Sequence, residues 1–236
     1  MDRYSLTARV YPMILFYLPL SVMLVVTVWD FQQYYHYGIP VGLIGVLAYL
    51  TSHLGRDAGK KKEADIWRDW GGAPTTQLFR WRDAHLDRHT KTRNHLKMEQ
   101  LCPTGHSVDE QFERLNPDDA DEVYRAWTKF VIGNTRDINK YALIFRENMG
   151  YGFRRNLLGL KPYAIALIIS LILATYGFFV YTSGVWTVGQ FPEIFFIAEI
   201  FLIVILIFWI IRVTKQWVKL TAFAYAERLH EAIETL

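Results

Sequence analysis

PEIFFIAEIFLIVILIFWII, residues 192–211, is a run in which only Glu193 and Glu199 carry charge. At about 1.5 Å of rise per residue, such a helix matches the ~30 Å hydrocarbon core of a bilayer. In water it would lack the polar face that a surface helix needs. Pro192 and Glu193 suit its start. Proline gives up an N–H that goes unused there, and the carboxylate meets the positive end of the helix dipole.

Outward from this run the charge pattern repeats. Residues 162–211 contain no lysine or arginine, and neither do residues 10–54; all 26 basic residues lie outside these stretches. Each stretch holds two apolar runs separated by a short break, and basic residues accumulate on cytoplasmic flanks. The pattern predicts an all-α integral membrane protein with four transmembrane helices in two hairpins and a helical cytoplasmic module inserted between them. The segments are residues 1–54 (first hairpin), 55–161 (module), 162–211 (second hairpin) and 212–236 (a cytoplasmic extension of the fourth helix). Both termini are expected in the cytoplasm, and the compartment is the inner, plasma membrane of a bacterium. The first apolar run is span-length without a small-residue cleavage site, so it reads as an uncleaved span. The charged module explains a mean hydropathy of only +0.09.

Details of the spans follow from residue type. Pro12 and Pro19 fall in the first span, residues 10–29, and Pro40 is placed at the start of the second, residues 39–54. Trp29, Tyr34, Tyr35 and Tyr37 cluster at the first turn, as aromatic rings do at an interface. The third span is expected to open at Lys161-Pro162. Gly42, Gly45 and Ala48, and likewise Ser170, Ala174 and Gly177, form small faces that let helices approach in lipid. After the fourth span, Val213, Trp217, Leu220, Ala224 and Leu229 form an apolar stripe. It needs either the module or another subunit as cover, and a homo-oligomer is expected. Glu199 sits within the fourth span at a cost of about 2.5–3.5 kcal/mol on insertion scales. It reads as a pore carboxylate or as a group near the outer headgroups.

The module reads as helices joined by glycine and proline turns. A charged helix is expected over residues 83–101, and a short one to Leu115 opened by Ser107 and Glu110 as a capping box. A third begins at Asn116-Pro117 and ends near Gly133-Asn134, and a fourth covers residues 138–148. Net charge is +5 over residues 56–97, −7 over 98–124 and +6 over 125–161. The basic blocks suit anionic lipid headgroups, with Lys60, Lys61, Lys62, Arg154, Arg155 and Lys161 as their contacts. The acidic segment 118–122 could recruit a cytoplasmic protein partner.

Residues 67–82, WRDWGGAPTTQLFRWR, combine Gly71, Gly72, Thr75 and Thr76 with Arg68, Arg80, Arg82 and three tryptophans. Glycines admit a phosphate, hydroxyls donate to it, and aromatics stack on bases, so the segment suits a nucleotide or a short single-stranded oligonucleotide. The other reading is a turn before a helix, with its tryptophans in the core. No P-loop motif occurs. His85 and His89 share a helix face, but no H-E-x-x-H or paired-cysteine set accompanies them, so no metal or cofactor is expected. Cys102 stands alone, which excludes an internal disulfide. No nucleophile elbow or catalytic carboxylate pair marks an enzyme; His53 with Asp57 is the faintest trace.

This topology and charge layout resembles the small multi-span effectors of bacterial antiphage systems, of the CBASS and Hailong types. The resemblance implies a membrane effector controlled by a nucleotide or oligonucleotide that disrupts the inner membrane when triggered. The resulting expectation is an oligomeric channel or pore-type effector whose module senses an anionic ligand. The other expectation is a non-enzymatic membrane sensor or scaffold.

Overall fold

A computed structural model describes residues 3–27, 35–105 and 107–236, so Trp29, Tyr34 and His106 lie outside the described residues. Every regular element among them is helical: α1 (Arg3–Ser5), α2 (Tyr11–Thr27), α3 (Tyr35–Leu50), α4 (Ser52–Trp70), α5 (Pro74–Gln77), α6 (Arg88–Leu101), α7 (Glu110–Leu115), α8 (Pro117–Asn134), α9 (Ala142–Ser183), α10 (Glu193–Ile207) and α11 (Lys215–Glu231), with short π and 3-10 turns. The chain divides into two compact units. The first is Met1–Lys62 with Gly152–Val218, and the second is Glu63–Tyr151 with Lys219–Leu236. These boundaries follow contacts, whereas the sequence boundaries at 54/55 and 161/162 follow charge.

In the first unit α4 and α9 cross at backbone contact. A Cβ on Gly159 would stand less than 3.0 Å from the backbone of Ala58 and Gly59, and one on Gly59 would stand 2.8 Å from Cα of Asn156. Asn156, 1% exposed, sits at this crossing, and its Nδ2 donates to the Ala8 carbonyl at 2.6 Å. That carbonyl is four residues before Pro12, which has no N–H to return to it. A π turn at Leu6–Val10 precedes the proline. Around the crossing Met13, Leu157, Leu160, Ile168, Leu202 and Trp209 form a buried core. A second apolar cluster of Phe179, Phe191, Phe195 and Ala198 packs near the turn between α9 and α10.

Several boundaries differ from the sequence expectation. Pro40 lies inside α3 rather than at its start, and α4 follows after a single residue, Thr51. The Thr51 hydroxyl donates back to the Leu47 carbonyl at 2.6 Å, which competes with the helix ladder there. Lys161-Pro162 does not open a helix: α9 runs through it for 42 residues and absorbs the expected separate helix over residues 138–148. The helix accommodates Gly159 because a side chain there would not fit against the α4 backbone, and Gly152 because a Cβ there would press on Ala8 and Tyr4 at 3.1–3.2 Å. The fourth helix does not continue into the C-terminus. A π turn at Phe208–Arg212 ends it, Val213 turns out at ψ 88°, and the Thr214 hydroxyl caps α11 by accepting from the Trp217 N–H at 3.2 Å. Lys161 Nζ donates to the freed carbonyls of Ile210 (2.9 Å) and Val213 (2.8 Å).

That break shifts the helical register, so the apolar stripe differs from the expected one. Val218, Ala222, Ala226 and Leu229 are buried, while Leu220 is 61% exposed. In the second unit Leu229 and Ile233 join Phe79, Met98, Tyr124, Trp127 and Val131 in one core. The C-terminal face there is covered by its own chain. The α8 boundaries agree with the sequence expectation. Two caps do not: α6 begins at Arg88 under Asp87, and α7 is capped by Asp109, while the Ser107 hydroxyl donates to Glu99 instead.

Among the described residues two helical stretches, Ala142–Ser183 and Glu193–Arg212, are long and apolar enough to cross a membrane. Along α10, Ile197, Ile200, Ile203, Val204 and Ile207 remain exposed, a surface suited to lipid rather than water.

The crossing makes an opposed pair of tests. Gly159→Ala is expected to destabilise the protein by on the order of 1–3 kcal/mol through backbone overlap. Gly177→Ala lies in the same helix with open space around its Cβ, and is expected to be neutral or slightly stabilising. Melting temperatures of the two purified variants in detergent check the signs.

Candidate functional site

The glycine turn closes α4 and is satisfied by the protein itself. Gly71 and Gly72 have φ of +87° and +132°, and their N–H groups donate to the carbonyls of Arg68 (3.1 Å) and Trp67 (2.7 Å). Arg80 fills the turn from the other side. Its Nη1 donates to the Gly71 carbonyl at 2.6 Å, while Nε and Nη2 form a fork on Asp121 at 2.8 and 2.6 Å. The Gly72 carbonyl accepts from Gln77 Nε2 at 2.5 Å. A Cβ at Gly72 would stand 2.8 Å from Arg80 Nη2, so glycine is needed here for the arginine, and this close approach is made by protein rather than phosphate.

The remaining residues of that segment divide. Thr76 is buried, and the Thr75 carbonyl accepts from His230 Nε2 at 3.0 Å. Neither hydroxyl caps α5. Arg68 makes an exposed pair with Asp65 at 3.0 Å. Arg82 lines a cavity.

That cavity, about 480 Å³, is bounded by Trp81, Arg82, Gln111, Glu113, Arg114 and their neighbours Glu110 and Pro117. Its corner is held by Glu113, whose carboxylate is 3% exposed. Oε2 accepts from the Trp81 N–H and the Tyr124 hydroxyl, both at 2.7 Å, and Oε1 accepts from the Arg82 N–H at 3.3 Å. A buried carboxylate is stable only with its lone pairs occupied, and here two of the three donors are backbone N–H groups of the wall residues Trp81 and Arg82, the third being the Tyr124 hydroxyl. Burial, then the bond to Glu113, pushes the Tyr124 hydroxyl far up, so it remains a donor. The Trp81 indole N–H donates to the Val108 carbonyl at 2.8 Å, which fixes the ring. Glu110 is paired with Arg88 at 3.0 Å. The cavity is thus lined by the half-buried Trp81 together with two exposed arginines, Arg114 and Arg82, the latter with Nε 3.8 Å from Glu113 Oε1.

Trp81, Glu113 and Arg114 were not among the sequence candidates. A signal existed: Arg114 is the single basic residue of the acidic block 98–124.

The lipid-headgroup set also divides. Lys60, Lys61 and Lys62 are exposed on α4. Arg155 is 5% exposed and donates to Asn156 Oδ1, so it is a core cation and not a headgroup contact. Arg154 donates to the Trp217 carbonyl at 2.9 Å and stacks on its ring at 4.8 Å, and Lys161 is the helix-end cap described above. Glu199 is half-buried on α10, and its Oε1 has no hydrogen-bond partner among the described residues. No three His, Cys, Asp or Glu side chains among those residues converge as a metal set. His85 meets Glu227 at 2.5 Å instead of pairing with His89.

No protein-family model matches the chain, and no curated protein or solved structure matches it.

His230 generates a pH prediction. Burial holds its imidazole well below the ordinary 6.5, at about 4, with His95 and Lys91 nearby adding to the effect and Asp83 and the Thr75 carbonyl opposing it. The unfolded chain therefore binds the proton more readily. Its contribution is complete above about pH 6.5 and is lost progressively as pH falls toward 4, amounting to about 3 kcal/mol. Chemical denaturation followed by tryptophan fluorescence from pH 7.5 to 4.5 is expected to show this loss, and His230→Gln is expected to flatten the slope.

Proposed function

We propose that the chain is a non-enzymatic, self-associating effector of the bacterial inner membrane, of the channel or pore type, whose helical module senses an anionic aromatic ligand. The observation that carries this reading is that Trp81, Arg82 and Arg114 line one cavity of about 480 Å³. Guanidinium forks suit phosphate oxygens, and a base stacked on an indole contributes about 1–3 kcal/mol without demanding a particular sequence. A nucleotide or a short single-stranded oligonucleotide supplies both parts. The site lies beside the glycine turn rather than in it, because Arg80 is committed to Asp121 and the Gly71 carbonyl.

The membrane half of the reading is supported by the two span-length helices and by the basic-residue distribution, which favours four spans with both termini in the cytoplasm. The small face at Gly42 and Gly45 has open space around it and suits a second copy. Glu199, an acid with an unpartnered buried oxygen, fits a ring of carboxylates that favours cations when subunits enclose a path. A scaffold reading draws on Asp118, Asp119 and Glu122, which are exposed at the start of α8. Asp121 is withdrawn from that surface by Arg80.

Arg82→Ala and Arg114→Ala are each expected to weaken binding of a labelled single-stranded oligonucleotide about tenfold or more. The salt dependence of the remaining affinity is expected to become shallower. Equal binding by wild type and both variants, measured by fluorescence anisotropy, would remove the ligand from this cavity.

In planar bilayers the wild-type protein is expected to conduct, and Glu199→Gln to lower cation selectivity without loss of assembly. An unchanged reversal potential would exclude Glu199 from the path, and no conductance would refute the channel reading.

A further inference from the structure

Four chain segments meet at one end of the first unit, and they carry its cations. Gly152 faces Ala8 and Tyr4, Gly159 faces Ala58 and Gly59, and Lys161 Nζ donates to the carbonyls of Ile210 and Val213. Together the segments at residues 3–9, 56–62, 152–161 and 210–215 hold eleven basic residues and a single acidic one, Asp57. Like charges gathered in this number repel one another, so an anion placed among them is stabilised.

Three of these cations converge on residues 210–217, where the chain leaves α10. Arg212 stands over the Trp217 ring at 5.0 Å from its centroid, and Arg154 stands over the same ring at 4.8 Å. Phe153 packs edge-on against that ring at 6.4 Å. Arg154 and Lys161 direct N–H donors to the backbone carbonyls of Trp217, Ile210 and Val213, so they add mainly charge. Arg212 differs from both. It is exposed, and its guanidinium makes no hydrogen bond or ion pair among the described residues. A guanidinium held over an aromatic face is positioned while its in-plane N–H donors stay open.

Depth decides which anion fits. Arg212 closes the apolar stretch that begins at Glu193, and at about 1.5 Å per residue that stretch matches the ~30 Å hydrocarbon core. Ile207, Ile210 and Ile211 just before it are exposed, the last at 70%. An occupant here presents a phosphate beside hydrocarbon, which a phospholipid does and a free nucleotide does not. We infer that Arg212 binds the phosphate of an anionic phospholipid whose acyl chains lie along Ile207, Ile210 and Ile211. Arg154 and Lys161 supply the field that favours a net negative headgroup, and the amine of a zwitterionic headgroup meets that field as repulsion. The inference rests on the membrane reading of α9 and α10, and not on the Arg82–Arg114 cavity.

Carbonate extraction of membranes containing the full chain tests that underlying reading by itself. Release of the chain would refute the membrane reading and the lipid site with it, and retention is expected. Purified full-length protein in a neutral detergent is then titrated with phosphatidylglycerol, with phosphatidylcholine of the same acyl chains, and with glycerol phosphate, bound species being counted by native mass spectrometry. Phosphatidylglycerol is expected to bind saturably and about tenfold or more tighter than phosphatidylcholine, and glycerol phosphate, which lacks the chains, to show no binding. Arg212→Gln is expected to weaken phosphatidylglycerol about tenfold or more. Arg56→Gln removes another exposed arginine from the same end and is expected to leave that affinity nearly unchanged. With the chain retained in membranes, the lipid site alone is overturned if wild type does not hold phosphatidylglycerol, or if phosphatidylcholine or glycerol phosphate binds as tightly. It is equally overturned if Arg212→Gln binds as wild type does, or if both variants weaken binding alike, as diffuse attraction predicts.

Discussion

The backbone contact between Ala58-Gly59 and Asn156–Gly159 is the constraint on which the first unit is built. Two helices can meet at backbone distance only where neither carries a side chain, and Gly59 and Gly159 supply that absence on both sides. Asn156 turns the same spot into a polar joint. Its amide nitrogen reaches the Ala8 carbonyl beside Pro12, and its oxygen accepts from Arg155. Three chain segments are thereby held by one buried side chain. In a unit whose surface is largely apolar, hydrophobic burial discriminates poorly between helix arrangements. Steric fit and a buried hydrogen bond discriminate well.

A related logic governs the second unit, with charge in the role of shape. Two buried or half-buried ionic joints, Glu113 with its three donors and Arg80 on Asp121, fix the chain from the glycine turn to Arg82. Lys91 adds a third, donating to the carbonyls of Arg80 and Asp83, with burial holding its ammonium below the usual lysine range. Truncating one partner of such a joint leaves the other buried and unserved, which costs more than the joint is worth. The result is a rigid corner that carries Trp81 and Arg82. The cavity wall is thus set by Glu113, which lines it, and by Arg80, Asp121 and Lys91 behind it.

His95 and His230 show how the core tolerates polar side chains. Each gives its Nε2 proton to a backbone carbonyl, of Phe79 and of Thr75, and both rings pack against Phe79. Burial lowers the proton affinity of both. They act as neutral aromatic rings with one donor, and their ordinary role as metal ligands or surface switches does not apply here.

By itself the sequence determined the helical class, the span-length stretch at residues 192–211, the absence of basic residues from two long segments, and the α8 boundaries at Pro117 and Asn134. These depend on composition and on neighbours a few residues away. Capping and helix breaks depended on competition that the chain alone does not reveal: Asp109 displaced Ser107 as a cap, the π turn at Phe208–Arg212 ended the fourth helix before Thr214 capped the next, and Pro162 failed to start one. The site was half legible. Arg82 was within reach of a motif reading because aromatic and basic residues cluster around it. Arg80 looked identical in that motif, and only Asp121, far along the chain, withdrew it. Arg114 and Glu113 came to the cavity through tertiary structure alone, since the pairing that places them spans about thirty residues. Long-range ion pairing decides which of two similar arginines is buried on its partner and which, 3.8 Å from Glu113 and still exposed, lines the cavity, and no local pattern encodes that choice.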